Sequence, residues 1–319
     1  MTAPTSPPGS PLPFTARTPE DVLALVPVVL GFAPRDSVVM LTFGAAQPFH
    51  ARVDLPGTGA GLAEMVAALL EPARWHAVMQ VLLVVYSPEP SLARRASRAL
   101  RVAFGDAGIG VIEVLRADGR RWWPAEAGSG TAGIPYDVSA HPFSARAVLE
   151  GRVLHGSREE LRATIAAAPA LSVGVVAALA RECGDGLPDP DWAADLVTRH
   201  SRDGTVPDDA ELARLLRGLL DGVVRDAVCR DLRRATAPAL VGFWTEVVRR
   251  SPAPLLAGPA ALLALTAWQA GDGALAWCAL DRCAEVDEAY PLAALVAQAL
   301  LGAVPPGLGE ADPPVEEAG

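Results

Sequence analysis

Lysine is missing from this chain: arginine supplies all 27 basic side chains, and acids outnumber them at 37, for a net charge of −10. A nucleic-acid-binding surface needs a basic face or stripe. Here the arginines are interleaved with acids at helical spacing and form no block, so nucleic acid is a poor partner. The arginine-only usage reads as a GC-rich coding bias. Cysteine is scarce too. The four, at 183, 229, 278 and 283, make no C-x-x-C pair. That speaks against a disulfide framework or a structural zinc site and for reduced thiols on buried helix faces. Long apolar runs are also missing. No uninterrupted apolar window reaches the roughly 18 residues of a spanning helix. The run 22–33 is broken by Pro27 and Gly31, and 255–268 by Gly258 and Pro259. The opening MTAPTSPPGSPLP has no basic segment followed by an apolar core, so it does not read as a secretion signal. Together these absences predict a cytoplasmic protein with no membrane partner.

Motifs that carry chemistry are equally sparse. The histidines at 50, 76, 141, 155 and 200 form neither H-E-x-x-H nor H-x-H, so a metal site would have to be assembled entirely in three dimensions, and none is expected. G-x-S-x-G, the turn that presents a nucleophilic serine, does not occur. The glycine-rich run Gly57-Thr58-Gly59-Ala60-Gly61 stands between a strand and a helix, where backbone N–H groups could cradle a phosphate. It lacks the spacing of a dinucleotide fingerprint and the lysine of a P-loop. No cofactor and no catalytic residue are assigned.

What the sequence does contain is apolar patterning, at 51% of the residues, enough for packed cores. The organising stretch is 21–43, DVLALVPVVLGFAPRDSVVMLTF, an apolar helix, a loop and an apolar strand. Thr18 is its N-cap, Pro19 its first residue, and Glu20 and Asp21 favour the first turn. Pro27 interrupts the run, and Gly31 is the natural stop. Strands follow at 37–43 and 49–55 as an antiparallel hairpin, then a helix at 62–70, a strand at 77–86, a helix at 91–104 and a strand at 109–115. Asp118-Gly119 turns the chain into a last strand through Trp122 and Trp123. The order β, β, α, β, α, β, β behind a first helix predicts a mixed α/β sheet of about five strands flanked by helices. Residues 124–140 read as a loop. Beyond them everything reads helical, with starts at Ser157 (boxed with Glu160), Asp189-Pro190, Pro207-Asp208, Pro238, Pro259 and Asp272. The expected layout is a disordered tail at 1–13, an α/β domain at 14–140, a helical domain at 141–304 and a disordered acidic tail at 305–319.

LGFAPRDSVVMLTF with ARVDLP, then DGRRWWP at 118–124, GIPYDVSAHPFSARAVLEGRVLHGSREEL at 133–161, VRDAV at 224–228 and LLALTAWQAGDGALAWCALDRC at 262–283 resemble an actinobacterial family of unknown function, the one numbered 4192. The resemblance covers most of the chain in order and implies a bacterial cytoplasmic protein. It brings no activity, cofactor or catalytic residue. Cysteines that such proteins carry between the tryptophan-rich strand and the GxPYD-like segment are not found at 124–136 here. Residues 271–300 also resemble the second helix of a tetratricopeptide-type repeat running into the next. No period of 34 residues repeats, so an αα-hairpin with an alanine-rich interface is the simpler reading.

Topology supplies the one candidate site. With a hairpin first and parallel strands next, the start of strand one and the ends of the following strands share an edge. That edge collects Arg35, Asp36, Ser37, Asp54, Thr58, Ser87, Arg116 and Asp118. Ligands of open α/β sheets bind at such edges. Helix capping and loop ion pairs account for the same residue types. The functional expectation is therefore a non-enzymatic interaction or scaffold protein, binding a protein partner or itself through its helical region. The alternative is a small-molecule binder or enzyme at the edge around Asp36, Asp54 and Ser87.

Overall fold

A computed structural model describes residues 15–45, 49–57, 59–125, 131–181, 186 and 188–307. They form two compact units. The sheet unit takes the described residues up to Leu161 together with Leu301–Ala303. The helical unit takes Arg162–Leu300 and the described residues from Val304 on.

The sheet unit begins with α1 (Pro19–Leu30). Its first turn is closed by a reciprocal capping box: the Asp21 amide donates to Thr18 Oγ1 at 3.1 Å, and Asp21 Oδ2 accepts from the Thr18 amide at 3.0 Å. Pro27 stays inside the helix, and Gly31, at φ 76°, ends it in the left-handed conformation. Then come β1 (Ser37–Phe43), β2 (His50–Asp54), α2 (Gly59–Trp75), β3 (Gln80–Tyr86), α3 (Pro90–Asp106), β4 (Gly110–Ala117) and β5 (Arg121–Pro124). A sixth strand, β6 (Ile134–Pro135), lies within the stretch read as loop, and α4 (Pro142–Leu149) follows it. Two residues are too short for any alternation to announce; β6 exists because Trp122 and Arg121 offer it a ladder.

The sheet order is β2-β1-β3-β4-β5-β6. β1 is antiparallel to both β2 and β3, while β3 and β4, joined through α3, are parallel. β2 and β3 thus run the same way on either side of β1. Both faces are covered, which is why β1 and β3 are apolar nearly throughout. One face carries Val38, Met40, Val81, Leu83 and Val85 against Leu69, Leu100 and Phe104 of α2 and α3. The other carries Val39, Leu41, Leu82, Val84, Leu115 and Trp122 against Val22, Leu23 and Val26 of α1. α4 packs on α1, so it belongs with the sheet.

α5 (Arg158–Thr164) passes from the sheet unit into the helical unit after Leu161, and the helical unit then contains α6 (Pro169–Arg181), α7 (Pro190–Asp203), α8 (Asp209–Gly218), α9 (Gly222–Val228), α10 (Ala237–Arg250), α11 (Ala257–Gln269), α12 (Gly273–Ala284) and α13 (Pro291–Leu301) up to Leu300. Aspartates start four of them: Asp189, Asp208, Asp221 and Asp272 each accept a backbone N–H of the first turn. Trp244, Leu212, Leu215 and Leu263 lie at the centre of its core, each no more than 1% exposed.

Candidate functional site

The register builds the predicted edge. Ser37 stands opposite Asp54 on β2 and opposite Tyr86 on β3, and Tyr86 stands opposite Ala117 on β4. Strand pairing therefore brings Ser37, Asp54, Ser87, Arg116 and Asp118 to one end of the sheet, with Arg35 and Asp36 in the loop that enters it. Thr58 lies outside the described residues. The edge does not bring them to one face. Directly opposed residues point to the same side of a sheet, and neighbours along a strand to opposite sides. Asp54, Ser37 and Tyr86 form a row on the α1 side. Arg116 pairs with Val85 and Trp123 and lies on the α2–α3 side.

On that second side the polar groups hold the structure. Arg116 donates from Nε to the Ser87 carbonyl at 3.2 Å and from a terminal nitrogen to the Pro88 carbonyl at 3.1 Å, and its guanidinium stacks 4.1 Å from the centre of the Trp123 ring. The Ser87 hydroxyl accepts from the Glu89 amide, whose carboxylate caps α3. Asp118 Oδ1 accepts from the amides of Arg120 and Arg121, closing the hairpin turn. These are capping and turn functions, as the residue types allow without any ligand.

The α1 side differs. Ser37 is fully buried, and its hydroxyl meets no hydrogen-bond partner among the described residues. A buried hydroxyl left unsatisfied costs about 1–3 kcal/mol. Next to it, Asp54 Oδ1 accepts from a terminal nitrogen of Arg52 at 2.6 Å. The same nitrogen lies 3.5 Å from the Arg35 carbonyl, and the guanidinium sits over the Phe32 ring at 6.0 Å. Arg52 Nε is buried and likewise has no partner. The loop beneath is constrained: Asp36 has φ 41°, unusual for a residue with a side chain, and its carbonyl accepts the Leu55 amide at 2.9 Å. Tyr86, on the other flank of Ser37, is buried, and desolvation pushes its phenol well above the ordinary value, with Tyr136 adding to the shift. Burial likewise pushes Tyr136 up to about 12, reinforced by the charge of Asp118.

Sequence reasoning named Ser37 and Asp54 here and missed Arg52 and Tyr86. Arg52 was legible: it lies two residues before Asp54, hence on the same strand face. Tyr86 required the register of β1 on β3, which no local pattern announces.

The helical unit carries a polar chain of its own. His200 Nδ1 lies 2.7 Å from Thr205 Oγ1, its Nε2 lies 3.3 Å from Glu211 Oε2, and Arg199 donates to Glu211 Oε1 at 2.8 Å. Glu211 also accepts the Asp208 amide at the start of α8. The carboxylate is thus committed to the α7–α8 turn. The thiols of Cys229 and Cys283 are pushed up to about 11 by desolvation, so both are protonated at neutral pH. Among the described residues no cluster of three or more His, Cys, Asp or Glu could hold a metal ion.

A mixed α/β sheet unit and an all-helical unit thus define the chain. It belongs to the family "Domain of unknown function (DUF4192)", whose signature matches residues 19–307. No curated protein matches the chain, and no solved structure does.

Proposed function

We propose that this protein is a non-enzymatic interaction protein that self-associates through the exposed face of α6. The observation that carries this reading is an uncovered apolar surface. From 164 to 180 the chain has no charged residue. In α6 only Val175 and Ala178 are buried, while Leu171, Val173 and Val176 are 45%, 67% and 49% exposed. Exposed contiguous apolar surface marks an interaction site. Absence of charge favours a second copy, since two such faces meet without like-charge repulsion although each chain carries −10. The small side chains of Ala177 and Ala180, both exposed, let two helices approach closely. A two-fold interface uses the same patch on both copies.

A lipid surface is the competing occupant. Arg158–Arg181, 24 residues whose most apolar 18-residue window has a mean hydropathy of 2.0, is long and apolar enough to cross a membrane, with only 17% of that window buried. It is helical in two pieces, however, since α5 ends at Thr164 and α6 begins at Pro169. Sedimentation of the full chain over a concentration series tests the proposal. A dimer that dissociates in Val173→Glu/Val176→Glu supports it. A wild type that is monomeric throughout, or that binds phosphatidylcholine vesicles instead, removes it.

The α11–α12–α13 run supports a tetratricopeptide-like reading of this unit: helices of 13, 12 and 11 residues, with Tyr290 at the last turn, where its hydroxyl accepts from Arg225 at 3.1 Å. An actinobacterial, cytoplasmic setting is the context we propose.

A second reading has its own observation. The buried, unpartnered hydroxyl of Ser37 at the end of the sheet favours a small-molecule site on the α1 side. Under this reading the site is centred on Ser37, Arg52 and Asp54, with Ser87 excluded because it serves the α3 cap.

A further inference from the structure

We infer that the corner formed by Ser37, Arg52 and Asp54 binds a small oxyanion, a carboxylate or a phosphate group; this rests on the second reading above. The unsatisfied groups there can both donate. Arg52 Nε–H can only donate, and the Ser37 hydroxyl can donate. Whatever completes the corner must therefore accept hydrogen bonds. Arg52 spends one terminal nitrogen on Asp54 and the Arg35 carbonyl and leaves Nε unused. Nε and its neighbouring terminal nitrogen form the fork that matches a carboxylate or phosphate edge.

Ser37 and Arg52 are placed to act together. Asp54 stands directly opposite Ser37, and Arg52 stands opposite Val39, so Ser37 and Arg52 are diagonal neighbours on one face. The ion pair holds the Arg52 head at Asp54, the residue opposite Ser37 in the strand pairing. The Arg52 side chain is only 16% exposed, so the charge acts where water screens it weakly. Among the described residues its acid partner is Asp54, whose side chain is 75% exposed. It can swing into water and yield its place on the guanidinium to an incoming anion, acting as a built-in competitor. The neighbouring loop is held in a fixed shape by the left-handed Asp36 and the Asp36–Leu55 bond.

The test is thermal unfolding of the full chain in rising inorganic phosphate, and separately acetate, at ionic strength fixed with chloride. The proposal expects a saturable rise in midpoint with one or both anions, lost in Arg52→Gln and Ser37→Ala and reached at lower anion concentration in Asp54→Asn. Phosphate alone or acetate alone identifies the headgroup. No saturable rise in the wild type, or an equal rise in all variants, overturns it. Asp54→Asn keeps the test alive if Arg52→Gln fails to fold. Ser37→Ala without anion separates the two claims. If its midpoint rises, an unsatisfied hydroxyl has been removed and the site reading stands even where the anions fail. If its midpoint falls, the hydroxyl is already bonded within the fold and the site reading goes with it.

Discussion

Asp21 carries more of the first turn than its place in a surface helix suggests. Its carboxylate accepts from the amides of Arg17 and Thr18 and lies 3.2 Å from His141 Nε2. The Arg17 amide is the largest of the influences that hold its pKa below the ordinary 3.8, with a smaller opposing cost from desolvation. The sign follows from linkage. The unfolded chain takes up the proton more readily, so the stabilisation is complete above about pH 3.8 and fades as pH falls through the folded value. The stability gap between wild type and Asp21→Asn, measured by urea unfolding at a series of pH values, should therefore close in acid. Thr18→Ala, which removes the other half of the box, should cost about 1 kcal/mol at neutral pH in the same measurement. The buried phenols behave in the opposite sense. Tyr86 is raised above 10.0 and Tyr136 to about 12, so the folded state keeps protons that the unfolded chain releases. Their contribution is whole below pH 10.0 and is lost as pH climbs toward the folded values. Absorbance titration should show these phenols ionising together with alkaline unfolding, and Tyr86→Phe should move that transition to higher pH.

At the level of elements, the parts visible in the sequence were those with local causes. Thr18-Pro19 starts α1 and Gly31 ends it. Asp189, Asp208 and Asp272 start helices because a side-chain oxygen two or three residues before an amide can cap it wherever the rest of the chain lies. Ser157 likewise caps α5, although the returning Glu160 carboxylate takes the Gly156 amide. What distance in sequence decides was not legible. Arg225 and Arg230, each four residues after an aspartate (Asp221 and Asp226), reach Tyr290 and Asp191 instead. Trp123 was equally opaque. It lies against Arg116 on one side, and Gly133 leaves it no room on the other, since a Cβ there would come within 2.3 Å of the ring. Gly133→Ala should force the indole out of this slot, at about 1–3 kcal/mol by overpacking. Urea unfolding would measure the loss, and tryptophan fluorescence would show the ring moving. Leu100→Ala, in the fully buried heart of α3, should cost about 2–5 kcal/mol by the same assay.

Across the whole molecule, both units leave long apolar side chains in water. In the sheet unit Trp75 and Leu149 are 83% and 88% exposed, and in the helical unit Val173 of α6 and Leu295 of α13 are 67% and 64% exposed. At concentrations where the wild type is monomeric, Val173→Glu/Val176→Glu should leave the unfolding midpoint close to wild type, because neither side chain is part of a core and surface changes lie within about 0.5 kcal/mol. A large drop would mean that the face serves folding. The candidate edge shows the same division between what sequence can and cannot tell. Hairpins and crossovers set which strand ends share an edge, so the residues at one end were predictable although the strand order was not. Whether a side chain there is already occupied depends on partners such as Arg52 and Tyr86 that register alone brings up.

The place of β1 between β2 and β3 has a consequence for synthesis. On the ribosome β1 can close its hairpin once Asp54 has emerged, but its other edge finds no partner until β3, ending at Tyr86, has followed α2 out. During that interval the strand Ser37–Phe43, buried along almost its whole length in the finished fold, presents an open apolar edge. Nascent chains arrested between these points should be the ones that aggregate or recruit chaperones, and chains arrested beyond β3 should not.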